Sequence, residues 1–134
     1  MKTRYDGTSI LVFVLLLAFF ANNYSTQRKF VQTELYFGLS QPDGAIISDS
    51  AWQIFVQAEV SKVFSEGFTI VQADGNWVDE KQKKMHVEPS RIVMSAGAMS
   101  SLLSARIDSL REKYKTLFRQ ESVLRIDTKT NINF

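Results

Sequence analysis

The sequence predicts an α+β domain of the ferredoxin-like plait, and three observations point there. Thr33–Ser40 (TELYFGLS) alternates Leu35, Phe37 and Leu39 with Glu34, Tyr36, Gly38 and Ser40, the period of a strand with two unlike faces. Two stretches carry apolar residues at helical spacing, one around Trp52–Phe64 and one around Leu103–Phe118. The order of elements along the chain is strand, helix, strand, strand, helix, strand. Two interlocked right-handed β-α-β units of this kind give a four-stranded antiparallel sheet in the order 4-1-3-2, with both helices on one face.

The first strand is expected at about Val31–Ser40, in the centre of the sheet. Gln41-Pro42-Asp43-Gly44 is a turn sequence: proline presets the second position and glycine tolerates positive φ. The first helix is capped by Ser48 or Ser50, turns Trp52, Phe55, Val56, Val60, Val63 and Phe64 inward, and stops at Gly67. Phe68–Val78 is the second strand, with a bulge or bend at Asp74-Gly75. Asp79–Lys84 (DEKQKK) is a polar hairpin loop whose lysines keep the hairpin soluble. The third strand covers Met85–Ala96, with Ile92 and Met94 toward the core and Pro89 marking a bulge or a late start of the ladder. Ser100 or Ser101 opens the second helix, with Leu103, Ile107, Leu110, Tyr114, Leu117 and Phe118 as its apolar stripe. The last strand, Ser122–Asp127, is expected to point Leu124 and Ile126 at the helices.

The chain has 134 residues, room for one domain and an appendage. An apolar fraction of 45% and a charged fraction of 22% belong to an ordinary folded protein, and a net charge of +2 implies no strongly acidic partner. The absence of cysteine excludes disulfides, thiolate metal sites, a cysteine nucleophile and a lipidated N-terminal cysteine. Lys2 and Arg4 precede the apolar run Ile10–Ala21, a basic region followed by a hydrophobic one of signal-peptide length. Its twelve residues span about 18 Å as a helix, short of a hydrocarbon core of roughly 30 Å. Phe19 spoils the cleavage pattern before Ala21, so both a cleaved signal and a retained inner-membrane anchor stay open. The expected organisation is residues 1–27 as signal or anchor plus linker, and residues 28–134 as one domain exported to the periplasm or beyond.

The stretches TELYFGLSQPDG, ISDSAWQ, ADGNW, EPSR and KYKTLFRQESVLRID, between Thr33 and Asp127, resemble a family of small exported bacterial proteins with a domain of unknown function. The resemblance implies export and one compact domain, and supplies no catalytic residues. Family members often resemble lipoproteins; this chain lacks the cysteine, so an acyl anchor does not carry over. It also reads VSKVFSEG where many members carry a proline near the end of the first helix.

No catalytic set assembles from the residues. His86 is the single histidine, has no second ligand at metal spacing, and reads as an exposed hairpin residue. No glycine-rich phosphate loop occurs, and only Tyr36 suits base stacking, so neither a cofactor nor nucleic acid is expected. Trp77 reads as a seal on the end of the core, or as a platform for a sugar or aromatic ligand. The open face of the sheet is expected to present Glu34 and Tyr36, Arg91 and Val93, Val123 and Arg125, and Thr69 and Val71. That half-apolar mixture calls for a cover: a second copy, the C-terminal tail, or an envelope protein. On this reading the protein is a non-catalytic binding module. Glu34 is flanked by Arg91 and Arg125, and the arginines serve a small anionic ligand or simply pair with the carboxylate. The alternative is a small enzyme or ligand carrier on a dimeric α+β barrel, with Glu34 as acid/base and Tyr36 or Arg125 orienting it.

Overall fold

A computed structural model describes residues 30–133. The segments read as signal and linker lie outside the described residues. Strand β1 (Phe30–Gly38) is followed by helix α1 (residues 49–63), then β2 (Thr69–Asp79), β3 (Lys84–Ala98), α2 (Ser101–Phe118) and β4 (Leu124–Thr130). The sheet order is β2-β3-β1-β4, antiparallel throughout, which is the expected plait. Among the described residues no helix is long and apolar enough to cross a membrane.

Helix α1 begins with Ser48, whose hydroxyl accepts from Ala51 N. Its middle, Val56–Val60, winds as a π-helix. The buried residues Trp52, Val56, Val60 and Phe64 recur every four positions. In a pure α-helix that spacing drifts about 40° per step, and a wider turn cancels part of the drift. Helix α2 is capped by Ser100, which accepts from Leu103 N. It closes through Arg119 in the left-handed region (φ 53°), with Gln120 N donating to Lys115 O. Its inward stripe is Ile107, Leu110, Tyr114 and Phe118; Leu117, expected inside, is exposed.

The core is aromatic. Phe37 of β1 contacts Trp52, Phe55 and Tyr114, with ring centroids 4.7–6.0 Å apart and mostly edge-on. The turn after β1 forms as read, with Gly44 N donating to Gln41 O and Gly44 at φ +83°.

Three expectations about strands fail. The β2–β3 ladder runs unbroken from Thr69↔Met94 to Asp79↔Lys84, without a bulge at Asp74-Gly75. Pro89 sits inside β3 because β1 ends beside it. Leu39 N donates to Pro89 O, while Leu39 O accepts from Ile47 N, so the N–H that proline lacks has no ladder bond to make. The third failure concerns which way residues point. Leu35 pairs with Val93 on one side and Arg125 on the other, and directly paired residues share a face. Val93 and Val123, expected on the open face, are buried in the core. Ile92, Met94, Leu124 and Ile126, expected inside, lie on the open face beside Glu34 and Tyr36.

Candidate functional site

The reversed facing of β3 and β4 takes the two arginines away from Glu34. Arg91 pairs in register with Phe37 on the helix side, and its guanidinium donates to Asp49 at the start of α1, 2.9 Å away. Arg125 is 11% exposed and held by α2 and β4: it meets Asp108 at 3.1 Å, Asp127 at 2.8 Å and Ser104 O at 3.2 Å. Asp127 in turn accepts from buried Thr33 at 2.7 Å. These contacts tie α2, β4 and β1 together. The expected cluster of Glu34, Arg91 and Arg125 is therefore divided between opposite faces of the sheet.

Glu34 and Tyr36 do lie together on the open face. The Tyr36 hydroxyl donates to Glu34 Oε2 at 2.7 Å, and Gln32 Nε2 donates to Glu34 Oε1 at 2.8 Å. The Glu34 hydrogen bond, followed by burial and the carboxylate's charge, pushes the Tyr36 phenol above its ordinary value.

The rest of the site comes from Trp77, expected either to seal the core or to serve as a ligand platform, and from His86 and Glu88, for which no binding role is expected. Beyond Gly38 the β2–β3 hairpin continues as a two-stranded arm. Trp77 and His86 face each other across it, their rings stacked at 4.4 Å and 11°. Trp77 is 52% exposed, so it does not seal the core, and His86 is half-buried against it, not a free hairpin residue. His86 Nε2 is closed to solvent and has no partner among the described residues.

Glu88 carries no motif or spacing that marks it along the chain. It lies next to Gly38 in the fold: a Cβ at Gly38 would stand 2.5 Å from Glu88 Oε1, so a larger residue there would push this carboxylate out of its place. Glu88 Oε1 accepts from Ser40 N at 3.1 Å, and Oε2 has no partner among the described residues. The signal available was the pairing of a carboxylate in EPSR with a glycine in a strand; it is legible only once the register is known.

Tyr36, Trp77, His86 and Glu88, but not Glu34, border a cleft of about 600 Å³ on the open face, between the arm and the turn from α2 to β4. Gly38, Gly75 and Ser90 are among its lining residues, as are Tyr36, Trp77 and Glu88. A smaller cavity of about 210 Å³ lies elsewhere, by Phe64, Met99 and Leu103, with Glu66 and Arg106 as its charged residues. Among the described residues no group of three or more metal-ligating side chains occurs.

Fold and site together define an α+β plait with one bare sheet face and a cleft at its end. The chain belongs to the family described as "Protein of unknown function (DUF3574)", whose model matches residues 32–134. No curated protein matches it. Among solved structures it is similar to a phage SAM lyase in complex with S-methyl-5'-thioadenosine, with a TM-score of 0.59 and 13% identity over 75% of this chain and 81% of that one. The same lyase in its apo state gives a TM-score of 0.57 and 13% identity over 78% and 83%. At that identity the likeness is one of fold.

Proposed function

We propose that the protein is a binding module of the bacterial envelope that holds a small ligand in the open-face cleft and does not transform it. The observation that carries this reading is the cleft itself. It joins an exposed indole, a phenol and a half-buried carboxylate around small residues, on a face that would otherwise be bare apolar surface. The solved neighbour with S-methyl-5'-thioadenosine supports the use of this fold to hold a ring-bearing ligand. Titrating that nucleoside into the labelled protein is expected to shift the amides of Gly38, Gly75 and Ser90 and the Trp77 indole. Shifts confined to another surface, or none at all, would remove the cleft as the site.

Export remains part of the proposal, resting on Lys2, Arg4 and the Ile10–Ala21 run. Mass spectrometry of envelope fractions separates a cleaved form from an anchored one, and the intact chain in the cytosol refutes both. A second copy laid on the open face would cover Val71, Leu124 and Ile126. Light scattering should then give a dimer, and a strict monomer at high concentration rejects it.

The second reading is catalytic, favoured by the likeness to a lyase. Glu34 would be the acid/base and Tyr36, 2.7 Å away, its orienter. Consumption of S-adenosylmethionine that is lost in Glu34→Gln would establish it over the binding reading.

A further inference from the structure

We infer that the cleft selects a positively charged group carried on a planar ring. The inference rests on the cleft being the binding site and adds the charge and shape of what it takes.

The sign of the charge follows from the register. Even-numbered residues of β1, β3 and β4 face away from the helices, and Arg91, Arg125 and Lys129 are all odd. Among the described residues the open face of the sheet therefore carries Glu34 and Glu88, with Lys84 only at the hairpin tip opposite Asp79. At the rim, Arg119 is tied to Asp43, and Glu121 stands beside it. Among the described residues no lysine or arginine on the sheet face pairs with Glu88, and His86, on the same face, makes no hydrogen bond to it.

That decides between ligand classes. A ligand entering the cleft takes Glu88 out of water. An anion would add repulsion to the lost hydration. A neutral ring would leave the carboxylate desolvated and unpaired. A cation compensates both. The same ligand charge is attracted to the indole: Trp77 has one face against His86 and is half exposed, the arrangement of a cation–π platform. Tyr36 adds a second aromatic edge and delivers the Glu34 charge nearby. The cleft's volume of about 600 Å³ admits an aromatic ring, with Trp77 and Tyr36 on its lining to stack against it.

Three benzene-ring probes that differ in charge test this on the full chain by calorimetry and tryptophan fluorescence: benzyltrimethylammonium, benzyl alcohol and benzenesulfonate. Benzyltrimethylammonium should bind at least about tenfold more tightly than benzyl alcohol, the difference expected of one partly desolvated charge contact. Benzenesulfonate should bind most weakly. Glu88→Gln, which keeps an acceptor for Ser40 N, should erase the preference while circular dichroism stays unchanged. Trp77→Ala, on the exposed arm, should weaken the cation most of all. Benzenesulfonate binding as tightly as the cation would overturn the charge assignment and leave the cleft as a site. Failure of all three probes would overturn the inference too, while shifts with S-methyl-5'-thioadenosine would show separately that the cleft still binds. A cation preference that survives both substitutions would place the binding elsewhere and overturn it as well.

Discussion

The two faces of this sheet are built from neighbouring residues, one position apart, and have little else in common. On the helix side Leu35, Phe37 and Val93 are fully buried, and the arginines are folded down onto carboxylates of α1, α2 and β4. On the other side Val71, Leu124 and Ile126 stand in the open, and Glu34 and Glu88 have no guanidinium partner among the described residues. The difference shows that strand parity, not composition, distributes the chemistry. Shifting β4 by one residue would exchange its apolar and charged sets completely.

The largest test of that contrast uses adjacent residues of β1. Phe37→Ala removes the ring that three core aromatics pack against and should cost about 3–5 kcal/mol in chemical denaturation. Tyr36→Ala, one residue away on the open face, should cost about 1 kcal/mol or less. Equal losses would mean that something covers the open face in solution. Next in size is Arg125→Ala. It takes one guanidinium from Asp108 and Asp127, but Asp108 keeps Arg111, Asp127 keeps Thr33, and both are partly solvated at 54% and 38% exposure, so the loss should be about 1–2 kcal/mol, below that of a fully buried pair. Ligand affinity should not change, because Arg125 lies across the sheet from the cleft.

Much of the fold was legible because its signals are strong and local. β1 alternates cleanly, both helices carry a cap and a stripe, and Gln41–Gly44 is a turn whose residue types match its geometry. The facing of β3 and β4 was not legible. Ile92-Val93-Met94 is apolar at three successive positions, so periodicity assigns neither face. In Val123–Asp127 the apolar Leu124 and Ile126 point outward because Val123 fills the core and Arg125 and Asp127 find partners on α2 and β1. Those partners lie many residues away and leave no local trace. The site was half legible: Glu34, Tyr36 and Trp77 lie at or beside it, whereas Arg91 and Arg125 do not, and Glu88 needed the β1–β3 register to be seen.

Acid sharpens the comparison further. The Arg111 hydrogen bond, and after it Arg125, hold the Asp108 carboxyl below the usual carboxylate range against the opposing effect of burial. A carboxylate whose folded value is depressed stabilises the fold above its unfolded value, near 4, and that contribution is lost as pH falls through the folded value. Asp43, through Ala45 N and Arg119, and Glu59, through Lys113, act in the same direction. Denaturation followed between pH 6 and pH 2 should show stability falling at the acid end, and Asp108→Asn should flatten that fall. An unchanged slope in Asp108→Asn would mean that the α2–β4 ion pairs do not persist in solution.

The smallest effects come from two tyrosines that make similar hydrogen bonds on opposite faces. The Tyr114 hydroxyl donates to Gly38 O at 2.8 Å from a fully buried ring, and the Tyr36 hydroxyl donates to Glu34 Oε2 at 2.7 Å on the open side. Tyr114→Phe leaves a carbonyl inside the core without its donor, which costs about 1–1.5 kcal/mol. Tyr36→Phe releases a carboxylate that water can reach and should cost about 0–0.5 kcal/mol. The phenols also answer differently to alkali. Burial, followed by the Glu88 charge, raises Tyr114 well above the ordinary value near 10, whereas the Glu34 hydrogen bond is the main cause of the rise at Tyr36. Because the folded values are raised, their stabilising contributions are complete below pH 10 and disappear as pH rises through them. Ultraviolet titration of the full chain should therefore show Tyr114 ionising only with unfolding, and Glu34→Gln should bring Tyr36 down without moving Tyr114. If Glu34→Gln shifted both, or if the two Phe variants lost equal stability, the separation of the faces would fail at Gly38, where they meet.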